Sequence, residues 1–136
     1  MAESPDALTV IIADDDELIR NVVAIYFGNR GYRVIGAVSG QDCLEKMRGS
    51  EPDAVLLDVM MPGMDGWEVC RRIREFSEAP VILLTACAQD SDKEVGMAAG
   101  ASAYVTKPVS LRHLETMIRA LVQRSPSPDE PGALPT

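Results

Sequence analysis

Apolar residues recur along this chain with two different periods. Short, β-branched, almost wholly apolar runs occur at Leu8–Ala13, Arg33–Val38, Ala54–Leu57, Val81–Leu84 and Ser102–Val105. Between them lie stretches of roughly ten to fourteen residues with the period of an amphipathic helix. Leu18, Ile19, Val22, Val23 and Tyr26 make one such face, and Val69, Cys70, Ile73 and Phe76 a second. Leu111, Leu114, Ile118, Leu121 and Val122 make a third. Asp16, Asp65 and Ser110 stand at N-cap positions, and Ser91 with Glu94 has the form of a capping box. Gly31 and Gly100 stand where helices would end.

Five β-then-α units predict an α/β fold, a parallel sheet with helices on both faces. Strands without polar alternation suit a sheet covered on both sides. Five units are too few to close an eight-stranded barrel. The expected architecture is therefore the open, doubly wound (βα)5 form with the flavodoxin-like strand order 2-1-3-4-5.

The length of 136 residues fits one domain, and 46% apolar residues are enough for a soluble core. The expected division is a disordered N-terminus at 1–7, a folded domain at 8–124 and a Pro-rich linker or tail at 125–136. That tail, SPSPDEPGALPT, holds four of the nine prolines and has the composition of a linker. Twenty-one acids against 13 bases give a net charge of −8, which argues against a nucleic-acid or anionic-membrane surface. No apolar run is long enough for a membrane span, and Met1–Ala7 lacks the apolar region of a signal peptide. Cys43, Cys70 and Cys87 are odd in number and widely spaced, so they read as reduced, small apolar side chains in a reducing, cytoplasmic compartment.

In open α/β sheets the chemistry gathers at the carboxyl ends of the strands. Asp14, Asp15 and Asp16 follow the first run, and Asp58 follows the third. Thr85 follows the fourth, and Lys107-Pro108 the fifth. Two carboxylates about 4 Å apart repel by roughly 4 kcal/mol at an effective dielectric near 20. A hard divalent cation removes that cost, and oxygen-only ligands point to Mg2+. A carboxylate can also be a nucleophile toward phosphorus. Asp58 would then accept a phosphoryl group, with the Thr85 hydroxyl and the Lys107 ammonium on its oxygens.

The same residues resemble the response-regulator receiver domains of two-component signalling. The likeness spans Leu8 to Arg124 and rests on IIADDDELIR at 11–20, VLLDVMMPGMDGWEV at 55–69, VILLTA at 81–86 and AGASAYVTKP at 99–108. It implies Asp58 as phosphoacceptor, Asp15 as direct metal ligand, Asp14 as a partner acid acting mostly through water, and the Met60 backbone carbonyl as a further ligand. It also implies Thr85 and Tyr104 as switch residues, Lys107 as the cation paired with the phosphoryl group, and a cis peptide before Pro108. Met60 and Cys87 occupy the two positions that tune phosphoryl lifetime in that family. Both are apolar here, so slow self-dephosphorylation is expected.

The implied partners are a sensor histidine kinase or a histidine phosphotransfer protein, and a downstream protein or output domain. The face formed by the fourth helix, fifth strand and fifth helix would carry the output and can also serve for dimerisation. Beyond its own phosphorylation and dephosphorylation the chain is not expected to be an enzyme. A haloacid-dehalogenase-type phosphatase would need an acid where Met60 stands, and a flavodoxin-like cofactor binder would not place three aspartates after the first strand. A receiver acting as a phosphorylation-independent interaction module is the remaining alternative. Gly96 inside the fourth helix costs about 1 kcal/mol relative to alanine, so that helix is expected to be labile. Trp67 is expected against the sheet rim and His113 in solvent.

Overall fold

The computed structural model describes residues 7–86 and 90–123, except for the side chains of 90–93 and 123. In chain order the elements are β1 (Thr9–Ala13), α1 (Glu17–Gly28), β2 (Arg33–Ala37), α2 (Gly40–Ser50) and β3 (Ala54–Asp58), then α3 (Gly66–Ile73), β4 (Val81–Thr85), α4 (Asp90–Ala98), β5 (Ala103–Thr106) and α5 (Leu111–Gln123). The five strands form one sheet in the order β2-β1-β3-β4-β5, and every pairing is parallel. The segments expected at 1–7 and 125–136 lie, apart from Ala7, outside the described residues.

Successive strand residues point to opposite faces, so each strand supplies two cores. Ile11, Ala13, Val55, Leu57, Val81 and Leu83 pack on one face with side chains of α2 and α3. Val10, Ile12, Leu56, Ile82, Leu84 and Val105 pack on the other with α1 and α5. A register slip of one residue would exchange the two sets; burial on both faces explains why the runs show no polar alternation.

The caps follow the chemistry of their residues. Asp16 Oδ1 accepts the Leu18 N–H at 2.9 Å, Asp65 Oδ1 the Glu68 N–H at 2.9 Å, and Ser110 Oγ the His113 N–H at 3.2 Å. After α1 the Tyr32 N–H donates to the Phe27 carbonyl and the Gly31 N–H to the Gly28 carbonyl. After α4 the Ala101 N–H returns to Gly96 and the Gly100 N–H to Met97. Both pairs are Schellman closures, and Gly31 and Gly100 adopt φ of 93° and 103° to make them.

Three expectations need correction. Leu18 and Val22 are 68% and 43% exposed, because α1 turns Ile19, Val23 and Phe27 to the sheet instead. Phe76 lies past the end of α3 and is 41% exposed. α4 begins at Asp90, so Ser91 is within the helix rather than its cap. Gly96 is buried, and a Cβ there would lie 2.8 Å from Leu83 Cδ1, so the glycine also sets a close helix–sheet approach.

Two polar clusters tie distant segments together. The Arg74 guanidinium donates to the carbonyls of Gly100, Ser77 and Ala79 and to Ser102 Oγ, joining the end of α3 to the starts of β4 and β5. On the other face Glu115, only 5% exposed, pairs with Arg30 and Arg119 and accepts the hydroxyls of Tyr26 and Tyr32, each at 3.3 Å.

Candidate functional site

β1 and β3 are neighbours at the centre of the sheet, with Ala13 opposite Leu57. The next residue on each strand is an aspartate, so parallel register alone brings Asp14 beside Asp58. Asp58 is the last residue of β3 and Thr85 the last of β4; they are 4% exposed each, and Asp14 is 1% exposed. Asp15, in the turn after β1, is exposed. Carboxylate oxygens of Asp14, Asp15 and Asp58 lie within 4.8 Å of one another.

Lys107 reaches this group from the loop after β5. Its Nζ is 3.3 Å from Asp58 Oδ1 and 3.4 Å from Asp14 Oδ2. Its backbone N–H donates to the Thr85 carbonyl at 2.7 Å, which locks the loop to the end of β4. The Lys107–Pro108 peptide is cis. The Met60 N–H donates to Asp58 Oδ1 at 3.2 Å, while the Met60 side chain is 70% exposed.

The loop after β3 is held close to the site. The Gly66 N–H donates to the Val59 carbonyl at 2.9 Å, and a Cβ at Gly66 would stand 2.6 Å from the Asp58 carbonyl oxygen. Any side chain there would push the loop away from Asp58.

The electrostatics are those of a site short of positive charge. Burial, and then repulsion from Asp14, raise the Asp58 pKa above the ordinary aspartate value, against the pull of Lys107 and the Met60 N–H. Burial works against the Lys107 charge, but Asp14 and Asp58 outweigh it and its pKa is raised. Among the described residues three carboxylates face one ammonium here. The donor set fits a hard divalent cation: all ligand atoms are oxygens, and exposed Asp15 leaves one side open to retained water.

The other expected residues are distributed as follows. Tyr104 on β5 is half-buried, opposite Leu83 in the register and packed against the core beneath α4. Trp67 packs against the same core. His113 is exposed. Cys43 and Cys70 are buried free thiols, whereas Cys87 lies outside the described residues. Among those residues no helix is long and apolar enough to cross a membrane.

Two residues near the site carry no signal of their own in the sequence. Arg20 Nη1 donates to the Asp14 carbonyl at 2.8 Å from α1. Gly66 makes the close approach described above; its place directly after the Asp65 cap was the one available hint.

Comparison with known proteins agrees with this geometry. The model of the response regulator receiver domain matches residues 10–119. The chain is 46% identical over 116 residues to transcriptional regulatory protein AfsQ1 of Streptomyces coelicolor, covering 85% of this chain and 52% of that one. It thus spans about half the length of that relative. Among solved structures, a putative response regulator from Chloroflexus aurantiacus superposes with a TM-score of 0.82 at 32% identity, over 88% of this chain and 100% of that one. The BeF3-activated N-terminal receiver domain of Klebsiella pneumoniae RstA gives 0.80 at 30% identity, over 85% and 98%. With its five-stranded sheet in the order 2-1-3-4-5 and its acid cluster at the carboxyl ends of the strands, the chain belongs to the response regulator receiver domain family.

Proposed function

We propose that this chain is a cytoplasmic signalling switch set by phosphorylation of Asp58. The observation that carries this reading is the 3.3 Å pair between Lys107 Nζ and Asp58 Oδ1 inside a three-carboxylate cluster. Mg2+, held by Asp15, Asp58 and the Met60 carbonyl with Asp14 acting mostly through water, would neutralise charge on the entering phosphoryl group. A carboxylate oxygen of Asp58 attacks the phosphorus of a phosphohistidine on a sensor kinase or phosphotransfer protein. The P–N bond breaks, its electron pair leaves with the imidazole, and an acyl phosphate remains on Asp58. Lys107 then pairs with a phosphoryl oxygen and the Thr85 hydroxyl donates to another.

The donor must present its histidine beside Lys107. A strongly apolar groove opens there between Leu18 and Val22 of α1 and Pro108 and Val109 of the loop before α5, with Leu111 at its start. It suits an apolar helix face of the phosphodonor. On the far side, Thr85 and Tyr104 would carry the change to α4, β5 and α5, and so to a downstream partner, an output domain or a second copy. The chain would catalyse only its own phosphorylation and its slow dephosphorylation.

Intact-protein mass after incubation with Mg2+ and acetyl phosphate tests this reading. One added phosphoryl group on the wild type, absent in Asp58→Asn and in EDTA, is expected. No addition would overturn it in favour of an interaction module independent of phosphorylation.

A further inference from the structure

We infer that Arg20 is a positioning residue for the metal-binding turn, acting through the Asp14 carbonyl. This rests on the reading of the site given above. Arg20 lies in the first turns of α1 and its side chain folds back over the turn that precedes the helix. Nη1 donates to the Asp14 carbonyl at 2.8 Å. The aliphatic stem runs past β2, where a Cβ on Gly36 would stand 3.6 Å from Arg20 Cδ. The Asp42 carboxyl of α2 is held below the ordinary aspartate value by the Val38 N–H, then by Lys46, with a smaller pull from the Arg20 charge.

With Arg20 in place, every polar atom of Asp14 has a partner. Its N–H donates to the Ala37 carbonyl at 3.1 Å. Its Oδ1 accepts the Asp16 N–H at 2.9 Å, and its Oδ2 faces Lys107 at 3.4 Å. Arg20 supplies the fourth restraint, on the carbonyl. A peptide group is planar, so fixing that carbonyl also fixes the nitrogen and Cα of Asp15. Asp15 is the exposed member of the triad and the one whose side chain the core does not hold. The backbone from which its carboxylate reaches the metal position is therefore held by a bond made one residue earlier. Loss of an outer partner that orients a ligand weakens metal binding without removing any ligand.

Calorimetric Mg2+ titration of the wild type, Arg20→Met, Arg20→Lys and Gly36→Val tests this. Gly36→Val, whose γ-methyls extend past a Cβ already in van der Waals contact with Arg20 Cδ, crowds the stem while keeping the charge and the sequence of α1. Arg20→Met is expected to bind Mg2+ about tenfold more weakly, and Gly36→Val to weaken it in the same direction. Arg20→Lys, which can still donate one bond to the carbonyl, should recover most of the affinity. Phosphorylation of the Met variant by acetyl phosphate should be slow at limiting Mg2+ and normal at saturating Mg2+. Unchanged Mg2+ affinity in Arg20→Met would overturn the inference. So would a loss that Lys does not restore and that tracks a fall in melting temperature in EDTA, since that marks general destabilisation. A wild type that binds no Mg2+ would instead strike the functional reading itself, before any variant is compared.

Discussion

Gly96 of α4 stands so close to Leu83 of β4 that a Cβ on the glycine would lie 2.8 Å from the leucine Cδ1. Leu83 is fully buried in the core of that face. Alanine at this position gains about 1 kcal/mol of helix propensity but overpacks the contact at a cost of about 1–3 kcal/mol. Gly96→Ala should therefore destabilise the domain by about 1 kcal/mol in urea unfolding. Adding Leu83→Val, which clears the space, should reduce that penalty. A stabilised single variant would mean that α4 can move off the sheet freely.

Glu115 supplies a pH dependence whose sign can be worked out. Burial alone would raise its pKa, but the bonds from Arg119 and Arg30 prevail and hold it below the ordinary glutamate value of 4.5. The folded state thus binds this proton less readily than the unfolded state. The stabilisation is present above pH 4.5 and is lost as pH falls through the lower folded value. Chemical denaturation between pH 7 and pH 3 should show Glu115→Gln less stable than wild type at neutrality, with the gap closing at the acid end.

Removal of metal should be visible in stability. A ligand that binds only the folded state at ten times its Kd adds about 1.4 kcal/mol. Thermal unfolding in Mg2+ should accordingly exceed that in EDTA, and Asp15→Asn should abolish the difference. Equal melting temperatures for the wild type under both conditions would count against the metal site.

The exposed Met60 side chain beside Asp58 cannot orient a water for attack on an acyl phosphate. Met60→Asn should shorten the phosphoryl half-life severalfold, followed as loss of the added mass. Cys87→Glu addresses the second such position. No acceleration in either variant would remove the idea that these residues set the lifetime.

The five strands, their direction and the acid cluster were legible in the sequence because each depends on local pattern and chain order. Parallel register then brings Asp14 to Asp58 without further information. What the sequence concealed depends on tertiary approach. Leu18 has the spacing of a core residue, but which apolar arc of α1 meets the sheet is decided by helix rotation. Gly96 looks like a weakness until Leu83 is placed beneath it. Arg74 and Glu115 look like ordinary surface charges, and only the folded chain gives them acceptors from two loops and donors from two helices and a loop.

Among the described residues the buried indole N–H of Trp67 has no hydrogen-bond partner, and it lies 3.7 Å from where a Cβ on Gly96 would stand. Tyr104 Cδ2 lies at the same distance from that point. Leaving such a donor unpaired costs about 1–3 kcal/mol, so a rearrangement of α4 that offers it an acceptor has an energetic reward. This is also the one tryptophan of the chain. Its fluorescence comes from the junction of α3, α4 and β5 alone, and the emission of an indole shifts when its N–H becomes bonded. The domain thus carries an intrinsic optical gauge of α4, readable without a label.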